Sequence, residues 1–199
     1  MKQKVYIDFD GVIWDSFPVF YNIIREYNYA LYERIINKIA TKEDNDEVGE
    51  ILRKYDWKDI FSKSKPIEGS IEGLEELINC NDFEIAILTH CNSHNEVKWK
   101  IKTINKYIPG IKLIPVFKPT SKSIAVDPRG AVLIDDYSKN LIEWKNAGGI
   151  SIKFSSSNNI NKDFYSIKSL LQAKDTVKKI ITSNEINLAF DNIYAEEEV

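Results

Sequence analysis

Two aspartates separated by one residue, Asp8 and Asp10, end an apolar run near the start of the chain and precede Gly11. Alternation along a strand places both side chains on the same side of a sheet. Two anions so close repel each other, and burial would favour the protonated form of one of them. A second acidic pair, Asp135 and Asp136, ends another apolar run. The two pairs predict a site that holds a positive charge.

The segments around these pairs alternate between strand and helix patterns. The strand-like segments are KVYIDFD, FEIAILTH, IKLIPVF, AVLIDD and ISIKF, and segments with helical apolar spacing separate them. This alternation predicts an α/β fold, a Rossmann-like three-layer sandwich with a mostly parallel central sheet and right-handed crossovers. Ligands of such sheets bind beyond the carboxyl ends of the strands.

The chain divides into a core, an insertion and a tail. Residues 16–65 carry helical patterns directly after the first strand, which predicts a small helical cap inserted into a core of residues 1–15 and 66–155. In this cap, residues 16–40 read as one helix, and the acidic segment TKEDNDEVGE as a linker or a helix start. Residues 156–199 are predicted to be a helical tail that follows a polar linker, packs on the core or on a partner, and ends in solvated acidic residues.

Polar side chains stand where three predicted strands end, so we expect them to meet at one edge of the sheet. Three or four carboxylates at that edge would repel each other strongly without a cation. Hard oxygen ligands in this number suit Mg²⁺, which also keeps waters and substrate oxygens in its coordination shell. We therefore expect Mg²⁺ as the cofactor. The residues at this edge are Asp8 with Asp10, Thr89 with His90, and Asp135 with Asp136.

Four ordered motifs carry a resemblance to a known family. The segments DFDGV and ILT, a lysine within KPTSKS, and LIDD resemble the motifs of the haloacid dehalogenase-like (HAD) superfamily of phosphotransferases. The resemblance covers about Val5 to Phe154. The run LIDDYSKNLIEWKNAGGISIKF and the short helical insertion are similar to the 5′(3′)-deoxyribonucleotidase-like branch.

The resemblance implies a role for each motif residue. Asp8 would be the nucleophile that forms an aspartyl-phosphate, and Asp10 would be the general acid and base, with its backbone carbonyl also on the metal. Asp135 would complete the metal site, and Asp136 would bind the metal through water or orient its ligands. Thr89 would donate a hydrogen bond to a phosphate oxygen.

The motif lysine would neutralise phosphate oxygens and keep Asp8 ionised. Lys118 follows the third strand directly, whereas Lys122 lies nearer to LIDD and precedes an alanine-containing stretch, as the lysine of relatives does. This spacing favours Lys122 and leaves Lys118 as the alternative.

His90 is interpreted as a loop residue beside the phosphate. The segment HCNSH could suggest zinc, but it leads into a helix cap and no second Cys/His cluster exists in the sequence.

Aromatic residues near the insertion allow two interpretations. Trp14, Phe17, Phe20 and Trp57 could form a pocket that stacks on a nucleobase, or they could be the core of the insertion. Phe20 lies on the apolar stripe of a helix, which favours the core. Trp14, and Trp57 in a segment that reads as a loop, fit both interpretations equally well. Two further tryptophans lie on helical faces and are expected to cover the sheet: Trp99 and Trp144.

Composition excludes several classes of partner. The chain has 199 residues and a formal net charge of -3, so it carries no basic footprint for nucleic acid. No apolar run approaches membrane-spanning length. Cys80 and Cys91 form no disulfide framework and no leader pattern precedes Val5, so we expect a cytoplasmic location. A homodimer remains open.

These features predict a Mg²⁺-dependent phosphomonoesterase for a small phosphorylated metabolite, with a (deoxy)nucleoside monophosphate as the best substrate. Alternatives are a phosphatase for sugar phosphates or nucleic-acid ends, and a non-catalytic binding protein of the HAD fold. Asp10 argues against a hydrolytic dehalogenase, because it is the acid that a phosphatase needs.

Overall fold

The computed structural model describes residues 2–155 and 163–183. Within these ranges, six parallel strands form a central sheet and two short strands form a separate antiparallel pair. The order across the large sheet is β5-β4-β1-β6-β7-β8. The strands are β1 (Gln3–Ile7), β2 (Trp14–Asp15), β3 (Lys65–Pro66), β4 (Phe83–Cys91), β5 (Leu113–Phe117), β6 (Val132–Asp135), β7 (Ile150–Phe154) and β8 (Tyr165–Ile167).

Helices cover both faces of this sheet, which confirms the predicted three-layer α/β sandwich. Val5 and Ile7 of β1 pack into one buried cluster, and Tyr6 between them packs into a second cluster with Trp144. Strands buried on both faces have continuous apolar sequences, as these do. The helices are α1 (Phe17–Tyr27), α2 (Tyr29–Ile36), α3 (Lys42–Lys54), α4 (Trp57–Lys63), α5 (Ser70–Ile78), α6 (His94–Ile104), α7 (Lys122–Ala125), α8 (Ser138–Asn146) and α9 (173–183).

Strand register brings the predicted site together. Ile7 of β1 pairs with Ile87 of β4 on one side and with Ile134 of β6 on the other. The three neighbouring parallel strands therefore end at the same edge of the sheet. The residues that follow these paired positions include Asp8, Thr89 and Asp135.

The insertion between β2 and β3 consists of four helices, α1 to α4, and the β2–β3 pair closes its base. The prediction of one helix over residues 16–40 is wrong, because Asn28 leaves the helical conformation and its side chain caps α2 by accepting a hydrogen bond from Leu31 N. The acidic segment is a helix start, since Thr41 and Asp44 form a capping box that begins α3.

The tail contributes to the core rather than forming helices alone. Tyr165–Ile167 is a strand that pairs in parallel with β7, which the helical prediction missed. Ile167, Val177 and Ile180 are buried in the same cluster as Val5. The predicted polar linker spans 155–163, and its residues 156–162 lie outside the described residues, as does the acidic end over 184–199. Among the described helices, none combines the length and the apolar character needed to cross a bilayer.

Candidate active site

Asp8 lies at the centre of the site, directly after β1. Its side chain is buried, and its backbone N–H donates to Ile134 O at 2.9 Å, which fixes it against β6. Nζ of Lys122, a side chain that is 1% exposed at the start of α7, lies 2.9 Å from Asp8 Oδ1 and 2.7 Å from Asp135 Oδ2. Lys118 is exposed. The structure therefore brings Lys122, the favoured candidate, to the carboxylates.

Asp135 is held in one orientation by three donors. Its Oδ1 accepts a hydrogen bond from Tyr137 N at 2.7 Å. Its Oδ2 accepts hydrogen bonds from Lys122 Nζ and from Asn140 Nδ2, the latter at 2.9 Å. Sequence reasoning did not single out Asn140, which lies one turn into α8. The indication in the sequence was the position of Asn140 beside the apolar residues Leu141 and Trp144, with which it is buried on one side of α8.

Three carboxylates form a cluster that fits a divalent cation. One oxygen from each of Asp8, Asp135 and Asp136 lies within 4.8 Å of the others. Asp8 Oδ1 is buried and accepts no hydrogen bond from the described residues, since Lys122 is close but poorly directed. Gly11 permits this crowding, because a Cβ there would lie 2.5 Å from Asp136 Oδ2. The donor set of carboxylate oxygens suits Mg²⁺.

The electrostatics of the cluster separate its members. Burial alone would raise the pKa of Asp8, but the charges of Lys122 and Lys100 hold it below the usual value, so this carboxylate is ionised. Burial, together with the charges of Asp8 and Asp135, raises the pKa of Asp136 to about 8. Neighbouring carboxylates with such different affinities for protons are typical of catalytic and metal sites.

The carboxylate of Asp10 is not part of this cluster. Its Oδ1 accepts a hydrogen bond from Ser16 Oγ at 2.6 Å, and its Oδ2 lies 2.6 Å from Lys100 Nζ. Ser16 and Lys100 therefore engage the carboxylate of Asp10, which was expected to transfer protons rather than to bind the metal. Its backbone carbonyl stays a predicted ligand.

Lys100 is the main functional candidate that sequence reasoning missed. The side chain is 0% exposed, and its Nζ lies 2.8 Å from Glu96 Oε1 and 2.9 Å from His90 O. Burial would lower the pKa of Lys100, but Asp10 and Glu96 raise it well above the usual value, so the group is charged. The sequence shows that Glu96, Lys100 and Ile104 share one face of α6, and the structure shows that this face is buried.

Thr89 and His90 lie at the end of β4, as predicted. Thr89 is buried and its Oγ1 accepts a hydrogen bond from Lys100 Nζ at 3.0 Å. His90 Nε2 lies 3.2 Å from Thr120 O, and burial and the charge of Lys122 lower the pKa of His90. Within the described residues, the acidic cluster is the only group of His, Cys, Asp or Glu arranged to hold a metal.

The base-stacking hypothesis is wrong for the two tryptophans. Trp14 and Trp57 are 3% and 1% exposed, so neither presents a ring face to a substrate. Trp14 Nε1 donates to Ser64 Oγ, and Trp57 Nε1 donates to Leu52 O. Trp57 is the first residue of α4 rather than part of a loop, because Asp56 caps this helix. Phe20 packs edge-on against Trp57 in the core, as predicted.

Phe17 and Tyr21 are the aromatic residues that border the acidic cluster. A Cβ at Gly11 would lie 2.4 Å from Phe17 Cε2, on the same glycine that Asp136 approaches. The rings of Phe17 and Tyr21 stack with centroids 6.1 Å apart, and Tyr21 is 38% exposed. Burial and the charge of Asp136 raise the pKa of Tyr21. An exposed aromatic surface therefore lies beside the cluster.

Comparisons with known proteins agree with this geometry. A family model described as "5′ nucleotidase, deoxy (Pyrimidine), cytosolic type C protein" matches residues 2–183. A search of curated proteins gave no significant match.

Solved structures share the fold at low sequence identity. A hydrolase from Pseudomonas syringae is 15% identical with a TM-score of 0.64, covering 90% of this chain and 99% of that chain. A haloacid dehalogenase-like hydrolase from Streptococcus pneumoniae is 13% identical with a TM-score of 0.64, covering 87% and 97%. A HAD phosphatase from Thermococcus onnurineus is 16% identical with a TM-score of 0.58, covering 89% and 98%. Identities this low support the fold alone.

Proposed function

This chain belongs to the 5′ nucleotidase, deoxy (pyrimidine), cytosolic type C family, and from that premise we propose that it is a Mg²⁺-dependent phosphomonoesterase acting on (deoxy)nucleoside monophosphates. The observation that carries the proposal is the convergence of Asp8, Asp135 and Asp136 around one position beside Lys122. This arrangement supplies a nucleophile, a cation site and a fixed positive charge at the edge of the sheet where ligands bind.

Asp8 is the proposed nucleophile. Its lowered pKa keeps a lone pair available for attack on phosphorus, which would form an aspartyl-phosphate and break the bond to the ester oxygen. Lys122 would neutralise phosphoryl oxygens during this transfer, and the Thr89 hydroxyl would donate to another of them.

Asp8, Asp135 and Asp136 would hold the cation, with the backbone carbonyl of Asp10 as a further ligand. When bound, Mg²⁺ supplies charge that offsets the repulsion between a carboxylate and a phosphate dianion. Asn140 and Tyr137 N keep Asp135 oriented toward the cluster.

Asp10 is the proposed proton carrier. In the first step its carboxylic acid would protonate the departing ester oxygen, which leaves as an alcohol. In the second step the resulting carboxylate would take a proton from the water that attacks the aspartyl-phosphate, which releases inorganic phosphate and restores Asp8. Ser16 and Lys100 hold this carboxylate, which follows Asp8 by two residues after β1.

The aromatic pair beside the cluster supports a nucleoside as the rest of the substrate. Phe17 and Tyr21 offer an exposed, stacked surface next to Asp136. Stacking of one base on an aromatic side chain is worth about 1–3 kcal/mol. A sugar phosphate has no aromatic base that could stack on this surface.

Phosphate release from a panel of esters tests this function. The panel contains ribo- and deoxyribonucleoside 5′- and 3′-monophosphates, sugar phosphates, phosphorylated oligonucleotide ends and p-nitrophenyl phosphate, each with and without Mg²⁺. We expect Mg²⁺-dependent turnover with the highest kcat/KM on nucleoside monophosphates. Asp8→Asn should lose at least about a thousandfold in kcat, whereas the exposed control Asp127→Asn should retain wild-type activity.

One variant tests the substrate preference, and Asp8→Asn tests the chemistry. Phe17→Ala should raise KM for the best nucleotide by roughly tenfold, which corresponds to about 1.4 kcal/mol, and leave KM for a sugar phosphate unchanged. Turnover of sugar phosphates or oligonucleotide ends in preference to nucleotides would contradict the substrate assignment. Wild-type activity in Asp8→Asn would contradict the chemistry.

A further inference from the structure

Lys100 and Glu96 lie beside the acidic cluster without belonging to it. Lys100 Nζ contacts Asp10 Oδ2 at 2.6 Å and Glu96 Oε1 at 2.8 Å, and it donates to Thr89 Oγ1 and His90 O. We propose that Lys100 and Glu96 are positioning residues that fix Asp10 for proton transfer and Thr89 for phosphate binding. The proposal rests on the phosphomonoesterase function argued above.

Hydrogen-bond chemistry makes the orientation of Thr89 a consequence of Lys100. An ammonium group donates three hydrogen bonds and accepts none. Thr89 Oγ1 must therefore accept from Lys100, which directs the Thr89 hydroxyl hydrogen away from Nζ. Its present acceptor, His90 O, is distant at 3.4 Å. The hydroxyl hydrogen is thus available for a phosphate oxygen.

Asp10 is held by two donors of different kinds. Ser16 Oγ donates to Oδ1 and Lys100 Nζ contacts Oδ2, so both oxygens have partners and the carboxylate has little freedom to rotate. A proton carrier must lie within about 2.6–3.2 Å of the atom that it protonates. Rotation of this carboxylate would lose that distance.

Glu96 holds Lys100 in place from the opposite side. Its Oε1 contacts Lys100, and its Oε2 accepts hydrogen bonds from Asn92 N at 2.6 Å and Asn92 Nδ2 at 3.1 Å. Glu96 is buried and lies in the first turn of α6 after the cap Ser93. The Lys100 group also lies 5.5 Å and 5.7 Å from the ring centroids of Phe9 and Trp57, which confine it further.

Energetics favour a functional reason for this buried group. Burying an ion pair is costly, and apolar residues of similar volume are often neutral or stabilising in its place. Nζ of Lys100 lies close to the rings of Phe9 and Trp57, which belong to the apolar core. The contacts of Lys100 with Asp10 and Thr89 are what an apolar side chain cannot supply.

The test compares esters whose leaving groups differ in their need for a proton. Phosphoryl transfer to Asp8 with loss of p-nitrophenolate needs no acid, whereas loss of a nucleoside or sugar alkoxide does. In Lys100→Met we expect kcat/KM for the best alkyl phosphate to fall by about a hundredfold. For p-nitrophenyl phosphate, kcat/KM should fall by no more than about fivefold. This small loss would come from Thr89, which also loses its orientation toward the phosphate.

The second chemical step gives an independent readout. Breakdown of the aspartyl-phosphate needs Asp10 as a base for every substrate, so kcat for p-nitrophenyl phosphate should fall in Lys100→Met. A pre-steady-state burst of p-nitrophenolate, equal to one product per active site, should then appear. Glu96→Gln keeps the shape of Glu96 and should show the same pattern with smaller changes, so it serves if Lys100→Met does not fold. Lys102→Met, an exposed change on the same helix, should match the wild type.

The outcomes separate this inference from the proposed function. Equal losses of kcat/KM for both esters, or no loss in either variant, would overturn the positioning role while leaving the phosphatase intact. A wild-type protein that is folded, contains bound Mg²⁺ and hydrolyses none of the esters would overturn both.

Discussion

Two buried lysines flank the end of β1, and each contacts two carboxylates. Lys122 lies between Asp8 and Asp135, and Lys100 lies between Asp10 and Glu96. Both ammonium groups are almost completely excluded from solvent. We call the first group the Lys122 centre and the second the Lys100 centre. They are similar in composition and differ in charge balance.

The Lys122 centre contains a third carboxylate, and the Lys100 centre does not. Asp136 completes the cluster around Asp8, whose Oδ1 accepts no hydrogen bond from the described residues. In the Lys100 centre, Ser16 and Asn92 donate hydrogen bonds to the carboxylate oxygens of Asp10 and Glu96 that Lys100 does not contact. The first centre therefore has room and charge for a cation, while the second is complete with its own residues. Under the proposed function, this difference would separate metal binding from proton transfer at the end of one strand.

The largest expected difference between the centres concerns phosphoryl transfer itself. Lys122→Met removes the charge that faces Asp8 and the phosphoryl oxygens, so kcat/KM should fall by about 10²–10³ for alkyl and aryl phosphates alike. Lys100→Met should instead discriminate between the two classes. Steady-state kinetics on both esters measures this, and a leaving-group dependence in Lys122→Met would remove the distinction between the centres.

Metal affinity should depend on one centre only. Asp136→Asn deletes a charge of the acidic cluster and should weaken Mg²⁺ binding by about 10–100-fold. Glu96→Gln deletes a charge of the Lys100 centre and should leave the dissociation constant within about twofold. Isothermal titration calorimetry with Mg²⁺ measures both variants. Equal weakening in the two variants would show that the centres share the ion.

The excess charge of the Lys122 centre predicts how stability depends on pH in the metal-free protein. The pKa of Asp136 is about 8 in the fold and 3.8 in an unfolded chain, and burial also raises the pKa of Asp135. Between pH 3.8 and about 8 the Asp136 carboxyl group binds more protons in the folded protein than in the unfolded chain. Through this group, the free energy of unfolding should therefore decrease as pH rises. The lowered pKa of Asp8 acts below 3.8, outside this window.

Thermal unfolding between pH 6.5 and 8 checks this dependence, because the lowered pKa of His90 makes stability rise with pH below 6.5. The melting temperature should fall with pH without metal, and saturating Mg²⁺ should restore it because the ion binds the ionised cluster of the folded state. Asp136→Asn should reduce the slope. A melting temperature that rises steadily with pH in the metal-free wild type would contradict the charge balance described for this centre.

The smallest expected effect separates the two donors on Asp10. Ser16→Ala removes the hydrogen bond that a neutral hydroxyl donates to the Asp10 carboxylate, and it leaves the ion pair with Lys100. We therefore expect kcat/KM for alkyl phosphates to fall by less than about tenfold, well below the loss in Lys100→Met. A larger loss in Ser16→Ala than in Lys100→Met would make Ser16 the principal restraint.

The Lys122 centre could be predicted from the sequence, because its residues lie at strand ends or at the spacing of a motif. Asp8 and Asp135 interrupt apolar runs, and parallel strands bring their ends together whatever the details of packing. Lys100 has no such marker, since a lysine within a helix is usually exposed. Its burial depends on which face of α6 packs on β4, and several faces of that helix carry apolar residues.

Short elements and exposed surfaces were equally hard to predict. The three residues of β8 are too few to establish a strand pattern, so they read as part of a helix with the apolar residues around them. Asn28 fits the polar face of a long helix. In the structure its backbone is extended, because its side chain caps the N-terminus of α2. Trp57 read as a loop residue, although Asp56 before it is a common N-cap. Whether an aromatic ring is buried or borders a site depends on tertiary packing.

A Mn²⁺-substituted crystal structure tests the central distinction most directly, because the anomalous signal of Mn²⁺ locates an ion that prefers oxygen ligands much as Mg²⁺ does. The predicted result is an anomalous peak coordinated by Asp8 and Asp135, close to Asp136, with none beside the carboxylates of Asp10 and Glu96. A peak at the Lys100 centre, or none among the three clustered aspartates at saturating Mn²⁺, would contradict the account.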